Sequence, residues 1–169
     1  MAIDLYQLSV GTFQRQLHNL DAIIKKAAQH CEARKIDPSA LMQARLFPDM
    51  FAFIRQVQLV SDFAKGAGAR LSQTENPRFE DDESSFDELR ARVAKTLAFL
   101  HSLDRAAFEG AAERVVDVPI GGGKTLPMPG ANYLQHVALP NFYFHYTTAY
   151  GILRHNGVEL GKNDFIGGA

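Results

Sequence analysis

Apolar residues recur along this chain at alternating spacings of three and four. Phe13, Leu17, Leu20, Ile24, Ala27 and Cys31 line one face of a helix predicted over residues 3–33. Lys25, Lys26, Gln29 and Glu32 take the opposite face. Met50, Phe53, Val57, Val60, Ala64, Ala67 and Leu71 repeat the pattern and predict a helix from Pro48 to about Leu71. Gly66 and Gly68 weaken its last turns. Between the two, Asp37 as N-cap and Pro38 at the first helical position start a short helix. Ser85 and Glu88 have the spacing of a capping box, in which Ser85 accepts from the Glu88 amide and Glu88 reaches back. The helix they open runs to about Leu103, with Phe86, Leu89, Val93, Leu97 and Leu100 inward.

The period then changes. Val116, Val118 and Ile120 alternate with polar or turn residues, and three glycines separate them from Thr125–Met128, which predicts a small β-hairpin. A last long helix covers residues 131–156, broken or bent at Pro140 and closed by Gly157. The tail after it should pack briefly and fray. Four long amphipathic helices and a minor hairpin predict an all-α, four-helix up-down bundle, with the hairpin between helices 3 and 4. The 169 residues fit one domain, 1–169.

One stretch departs from the amphipathic pattern. Thr125 to Leu153 contains no Asp, Glu, Lys or Arg, and it holds four of the five tyrosines. It is long enough to span a bilayer, but Pro127, Pro129, Pro140, Asn132, Asn141, Gln135, His136 and His145 interrupt it. A core helix covered by protein explains it better. The aromatic run Phe142, Tyr143, Phe144, Tyr146 and Tyr150 points around most of that helix and implies cover from a second copy, hence a homodimer.

Composition narrows the function classes. Hydrophobic content of 46% and charged content of 22% are those of an ordinary globular protein. Eighteen basic and nineteen acidic residues cancel to −1, which is no footprint for nucleic acid or anionic lipid. The N-terminus lacks the pattern of a signal peptide. The lone Cys31 forms no internal disulfide and reads as inert packing; a cytoplasmic location is expected.

Candidate chemistry is sparse. "GGGKT" at 121–125 resembles the end of a phosphate loop, but that loop's first glycine would fall on Val118 and prolines follow instead of a helix, so a tight turn is expected. No two histidines stand four apart, which removes the strongest helical zinc signature. His145 lies mid-helix in the uncharged stretch with Asn141 one turn before it. Asp62 sits on a largely apolar helix, where pairing with an arginine is expected. No serine occupies a nucleophile-elbow context.

The order of helices, the hairpin and the closing string "FHYTTAYGILRHNGVELGKNDF" resemble the DinB/YfiT-like superfamily of metalloenzymes, most closely its domain-of-unknown-function subgroup. In that superfamily the last helix carries H-x-x-x-H before a leucine–arginine pair, and the second helix supplies a third histidine. Registered on Leu153–Arg154, the resemblance puts His145 at the second histidine, Asn141 at the first, and Gln56 or Gln58 at the third. One imidazole of three is kept, and amide oxygens bind Zn or Ni far less well.

The resemblance therefore implies a DinB-like bundle with a degenerate metal site of Gln56, Asn141 and His145. Such a protein is expected to be non-catalytic or to bind a small-molecule ligand. The alternative is a divalent-metal-dependent enzyme, of thiol transferase or hydrolase type, with an altered ligand set. In that case His145 would bind Zn or Ni with His136 or Asp62 recruited beside it.

Overall fold

A computed structural model describes residues 4–168. The chain is mostly helical, with one small two-stranded antiparallel sheet. In order, the elements are α1 (Thr12–Arg34), α2 (Pro38–Met42), α3 (Phe53–Ser72), α4 (Phe86–Ser102), β1 (Val115–Gly121), β2 (Lys124–Pro129), α5 (Gly130–Tyr133), α6 (Leu139–His155) and α7 (Lys162–Ile166). A wide π turn, Gln7–Gly11, leads into α1, and a second one, Leu134–Ala138, joins α5 to α6. No helix among the described residues is long and apolar enough to cross a membrane.

The stripes predicted from spacing form the core. Phe13, Leu17, Leu20 and Ile24 of α1 and Phe53, Val57, Val60 and Ala64 of α3 have no exposed surface. Each large apolar side chain buried this way contributes about 1.5–3 kcal/mol. α3 packs along α6 on one side and α4 on the other, and α1 packs on α4. Gly68 lets α3 and α4 approach, since a Cβ there would lie 2.8 Å from Leu103 Cδ1 and 2.9 Å from Leu100 Cδ2.

Several boundaries differ from the sequence expectation. The second long helix starts at Phe53, not Pro48. Residues 45–52 form a turn held by Arg45 Nη1 donating to the Met50 carbonyl at 2.8 Å, and Ala52 is extended at the N-cap. Met50 therefore leaves the stripe. Before α4, Ser85 Oγ does accept from the Glu88 amide at 3.2 Å, but Glu88 turns its carboxylate to the amide and hydroxyl of Ser84. Helical backbone continues from Gly130 to His155 without a break at Pro140. Proline lacks the N–H and crowds the carbonyl four residues back, and the wide turn Leu134–Ala138 lies where that conflict would arise.

The C-terminal segment is docked rather than frayed. α6 ends in a Schellman motif: Val158 N–H donates to the Leu153 carbonyl at 3.0 Å, Gly157 N–H to that of Arg154 at 3.1 Å, and Gly157 has φ +85°. α7 then lays Phe165 on the Tyr146 ring at 4.3 Å, and the Tyr146 hydroxyl donates to the Phe165 carbonyl at 3.0 Å. The tail thus covers Tyr146 and part of Tyr150.

Candidate functional site

α3 and α6 present their polar residues to each other at one level. Gln56 lies within the first turns of α3 and His145 is mid-way along α6. Both are buried. His145 Nδ1 lies 2.8 Å from Gln56 Oε1. The Gln56 amide nitrogen donates to the Phe51 carbonyl at 3.1 Å, which turns Oε1 toward the imidazole. Nδ1 must then carry the proton, leaving the lone pair on Nε2. Phe63 stacks on the ring at 5.5 Å, and Phe144 meets it edge-on at 5.2 Å. Burial first, and the charge of Arg55 second, push the His145 pKa down.

Asn141 does not join this pair through a hydrogen bond among the described residues. Its Nδ2 donates to the Val137 carbonyl one turn back at 2.7 Å, and the side chain is half-buried. Gln58 points elsewhere: its Nε2 donates to Glu83 at 2.9 Å and its Oε1 accepts from Arg55 at 3.2 Å. Gln56, not Gln58, is therefore the glutamine that faces α6. His136 is exposed on the wide turn before α6. Asp62 is engaged by Arg92 Nη2 at 2.9 Å and Lys65 Nζ at 3.3 Å. Among the described residues, no group of three or more His, Cys, Asp and Glu is placed to hold a metal ion.

These donors do not fit a three-imidazole metal site. One imidazole is present, its Nδ1 is taken by an amide oxygen, and that oxygen is the only atom Gln56 could offer a cation.

Two features were not singled out in the sequence. Arg92, only 2% exposed, gathers Asp62, Asp81 and Glu83 around its guanidinium at 2.9–3.0 Å and also donates to the Glu80 carbonyl. Its signal was an arginine next to Val93 on the buried face of α4. Arg70, in the last turn of α3, donates to the Tyr133 hydroxyl at 3.2 Å. Elsewhere, burial raises the pKa of the Cys31 thiol, as does the charge of Asp37, in keeping with an unreactive core residue. Gly121, Gly122 and Gly123 all have positive φ in the β1–β2 turn, which leaves "GGGKT" as hairpin geometry.

The family described as Domain of unknown function (DUF1993) matches residues 5–166. The chain is also similar to a DinB family member protein from Shewanella denitrificans, known from a crystal structure. The two are 44% identical with a TM-score of 0.90, over 98% of this chain and 93% of that one. No curated protein matches.

Proposed function

The chain belongs to the DUF1993 family of DinB-like proteins, and from that premise we propose a single-domain four-helix up-down bundle that binds a small molecule rather than catalysing a reaction. Its binding locus is the Gln56, Asn141 and His145 position, a degenerate form of the superfamily's metal site. The 2.8 Å contact between His145 Nδ1 and Gln56 Oε1 carries this reading. It makes the imidazole a neutral, oriented group whose Nε2 lone pair is free, and with no second imidazole or carboxylate placed beside it among the described residues, that lone pair suits a ligand's hydrogen-bond donor. Asp62 and His136, the residues a metal enzyme of altered ligand set would recruit, support that alternative poorly. The first is committed to two cations and the second stands exposed on another turn.

Self-association is part of the same proposal. Phe47, Phe51 and Phe144 are each more than half exposed. Phe51 and Phe144 flank the Gln56–His145 pair through the contacts already described. We place the homodimer face there, and the protein in the cytoplasm.

Elemental analysis of tag-free protein purified without chelator tests the reading. Substoichiometric Zn, Ni and Fe are expected. One equivalent of any of them would overturn it, as would a marked rise in melting temperature on adding a divalent metal, because a ligand that selects the folded state stabilises it.

A further inference from the structure

A cleft of about 490 Å³ lies on the other side of Phe63 from the Gln56–His145 pair. It opens between α3, the loop following it, β1 and the start of the last helical segment. Phe63, Phe79, Val118 and Pro119 wall it, and Arg70 and Tyr133 close one end. Its size and apolar lining with a few convergent polar groups are those of a small-molecule site.

Arg70 sets it apart from a packing defect. The other half-buried or buried guanidiniums are satisfied: Arg55 by Asp81, Arg90 by Asp21, Arg92 by three acids, and Arg114 by the carbonyls of Leu71, Ala107 and Glu109. Arg70 has no carboxylate partner among the described residues. Its one hydrogen bond goes to the Tyr133 hydroxyl, which accepts at 3.2 Å and keeps its own proton to donate. Burial raises the Tyr133 pKa, so that proton stays in place. The guanidinium lies across Gly66, where a Cβ would stand 2.7 Å from Arg70 Nη1. A helix interior normally disfavours glycine, and here its missing side chain is the seat of the charge.

The acids nearby do not compete for it. Asp62 is shared by Arg92 and Lys65, Asp81 is paired to Arg55 and Arg92, and Glu83 to Arg92. Lys65 sits over the Phe79 ring at 5.2 Å on the far wall.

We infer that this cleft binds a small monocarboxylic acid with an aryl or branched apolar body, its carboxylate held by the Arg70 guanidinium and the Tyr133 hydroxyl and its body by Phe63, Phe79, Val118 and Pro119. Guanidinium donors in a fixed fork match a planar carboxylate. Of the other cations that line the cleft, Lys65 is paired with Asp62 and Arg78 with Glu80, which leaves Arg70 to take a single carboxylate. The site is separate from the Gln56–His145 pair and does not depend on the reading of that pair.

The test is saturation-transfer NMR and thermal shift on the full chain, with 3-phenylpropionate as probe. Its amide and inorganic phosphate serve as controls. The acid should bind and raise the melting temperature, while the amide and phosphate should not. Arg70→Gln should weaken the acid about tenfold or more, the usual worth of a charge-assisted hydrogen bond. Gly66→Ala keeps the charge, displaces the guanidinium and favours the helix, so it should weaken binding without lowering the melting temperature of the free protein. Absence of binding by the acid, equal binding of its amide or of phosphate, or unchanged affinity in both variants would overturn the inference.

Discussion

The ring of Phe63 lies 5.5 Å from the ring of His145 with 16° between their planes, and the same side chain walls the cleft that holds Arg70. It is the partition between the two candidate sites. Phe63→Ala should remove that partition and admit water to the imidazole. The His145 pKa should then rise toward the ordinary value of about 6.5. Stability should fall by about 2 kcal/mol, less than for a fully enclosed phenylalanine, because Phe63 is only half-buried. NMR titration of the imidazole carbons and urea denaturation read the two effects separately.

The depressed pKa of His145 also sets a pH dependence for the native protein. The unfolded imidazole takes up its proton near pH ~6.5, and the folded one only at lower pH. Above that range neither state is charged and the residue contributes nothing to the slope. As pH falls below it, the unfolded state binds the proton first, so stability declines until the folded pKa is reached. Urea denaturation from pH 8 to pH 5 should show this loss, and His145→Gln should flatten the part due to this residue. Superimposable slopes would mean the ring is not held neutral.

Arg92 should be the most sensitive charged residue. Its side chain is enclosed, with Asp62, Asp81 and Glu83 turned onto one guanidinium. Arg92→Met keeps the apolar stem and leaves three carboxylates without their shared cation. The expected loss is about 3 kcal/mol, the low end for a broken buried pair, because Asp62 and Asp81 still reach water. The loop at residues 76–84 should become protease-sensitive in the same variant, since Arg92 also holds the Glu80 carbonyl.

The long helices were legible because a spacing of three and four is a direct image of burial on a helix face. Phe53, Val57, Val60 and Ala64 illustrate it. Their ends were less so. Pro48 carries the signal of a helix start, yet the turn held by Arg45 delays α3 to Phe53. The family register placed Gln56 and His145 on facing helices, where a hydrogen bond joins them, but Asn141 bonds within its own helix, a local competition no spacing reveals. The Arg70 cleft was invisible for a related reason. It depends on Tyr133 and Val118 reaching α3 from more than forty residues away in sequence.

Phe165 should anchor the C-terminal segment. Its ring stacks on Tyr146, Tyr150 meets it edge-on at 5.6 Å, and Asn19 donates to its carbonyl at 3.2 Å. Phe165→Ala should cost about 2–3 kcal/mol, below the usual core value because the residue is partly exposed. Tyr146→Phe should cost only about 1 kcal/mol, since Asn19 still satisfies the carbonyl. Chemical denaturation of the two variants checks the order, and equal losses would mean the hydroxyl rather than the stacked ring holds the tail.

Two buried glycines should respond unequally to the same added methyl. A Cβ on Gly68 would meet the ends of Leu100 and Leu103, side chains that can rotate, and alanine also favours the helix. The net cost of Gly68→Ala should be about 1 kcal/mol, the lower end for an overpacked core. A Cβ on Gly130 would stand 2.0 Å from the Ala111 carbonyl oxygen. That oxygen belongs to backbone, and the segments flanking the hairpin are pinned there by the Gly130 amide donating to the Arg114 carbonyl at 2.9 Å and the Ala131 amide to that of Ala112 at 3.0 Å. No rotamer relieves the clash, so the hairpin would have to move off the bundle. Gly130→Ala should therefore cost about 3 kcal/mol or more, with chemical-shift changes spreading through β1 and β2. A loss no greater than that of Gly68→Ala would show that the hairpin yields easily, and the wall that Val118 and Pro119 give to the Arg70 cleft would then not be rigid.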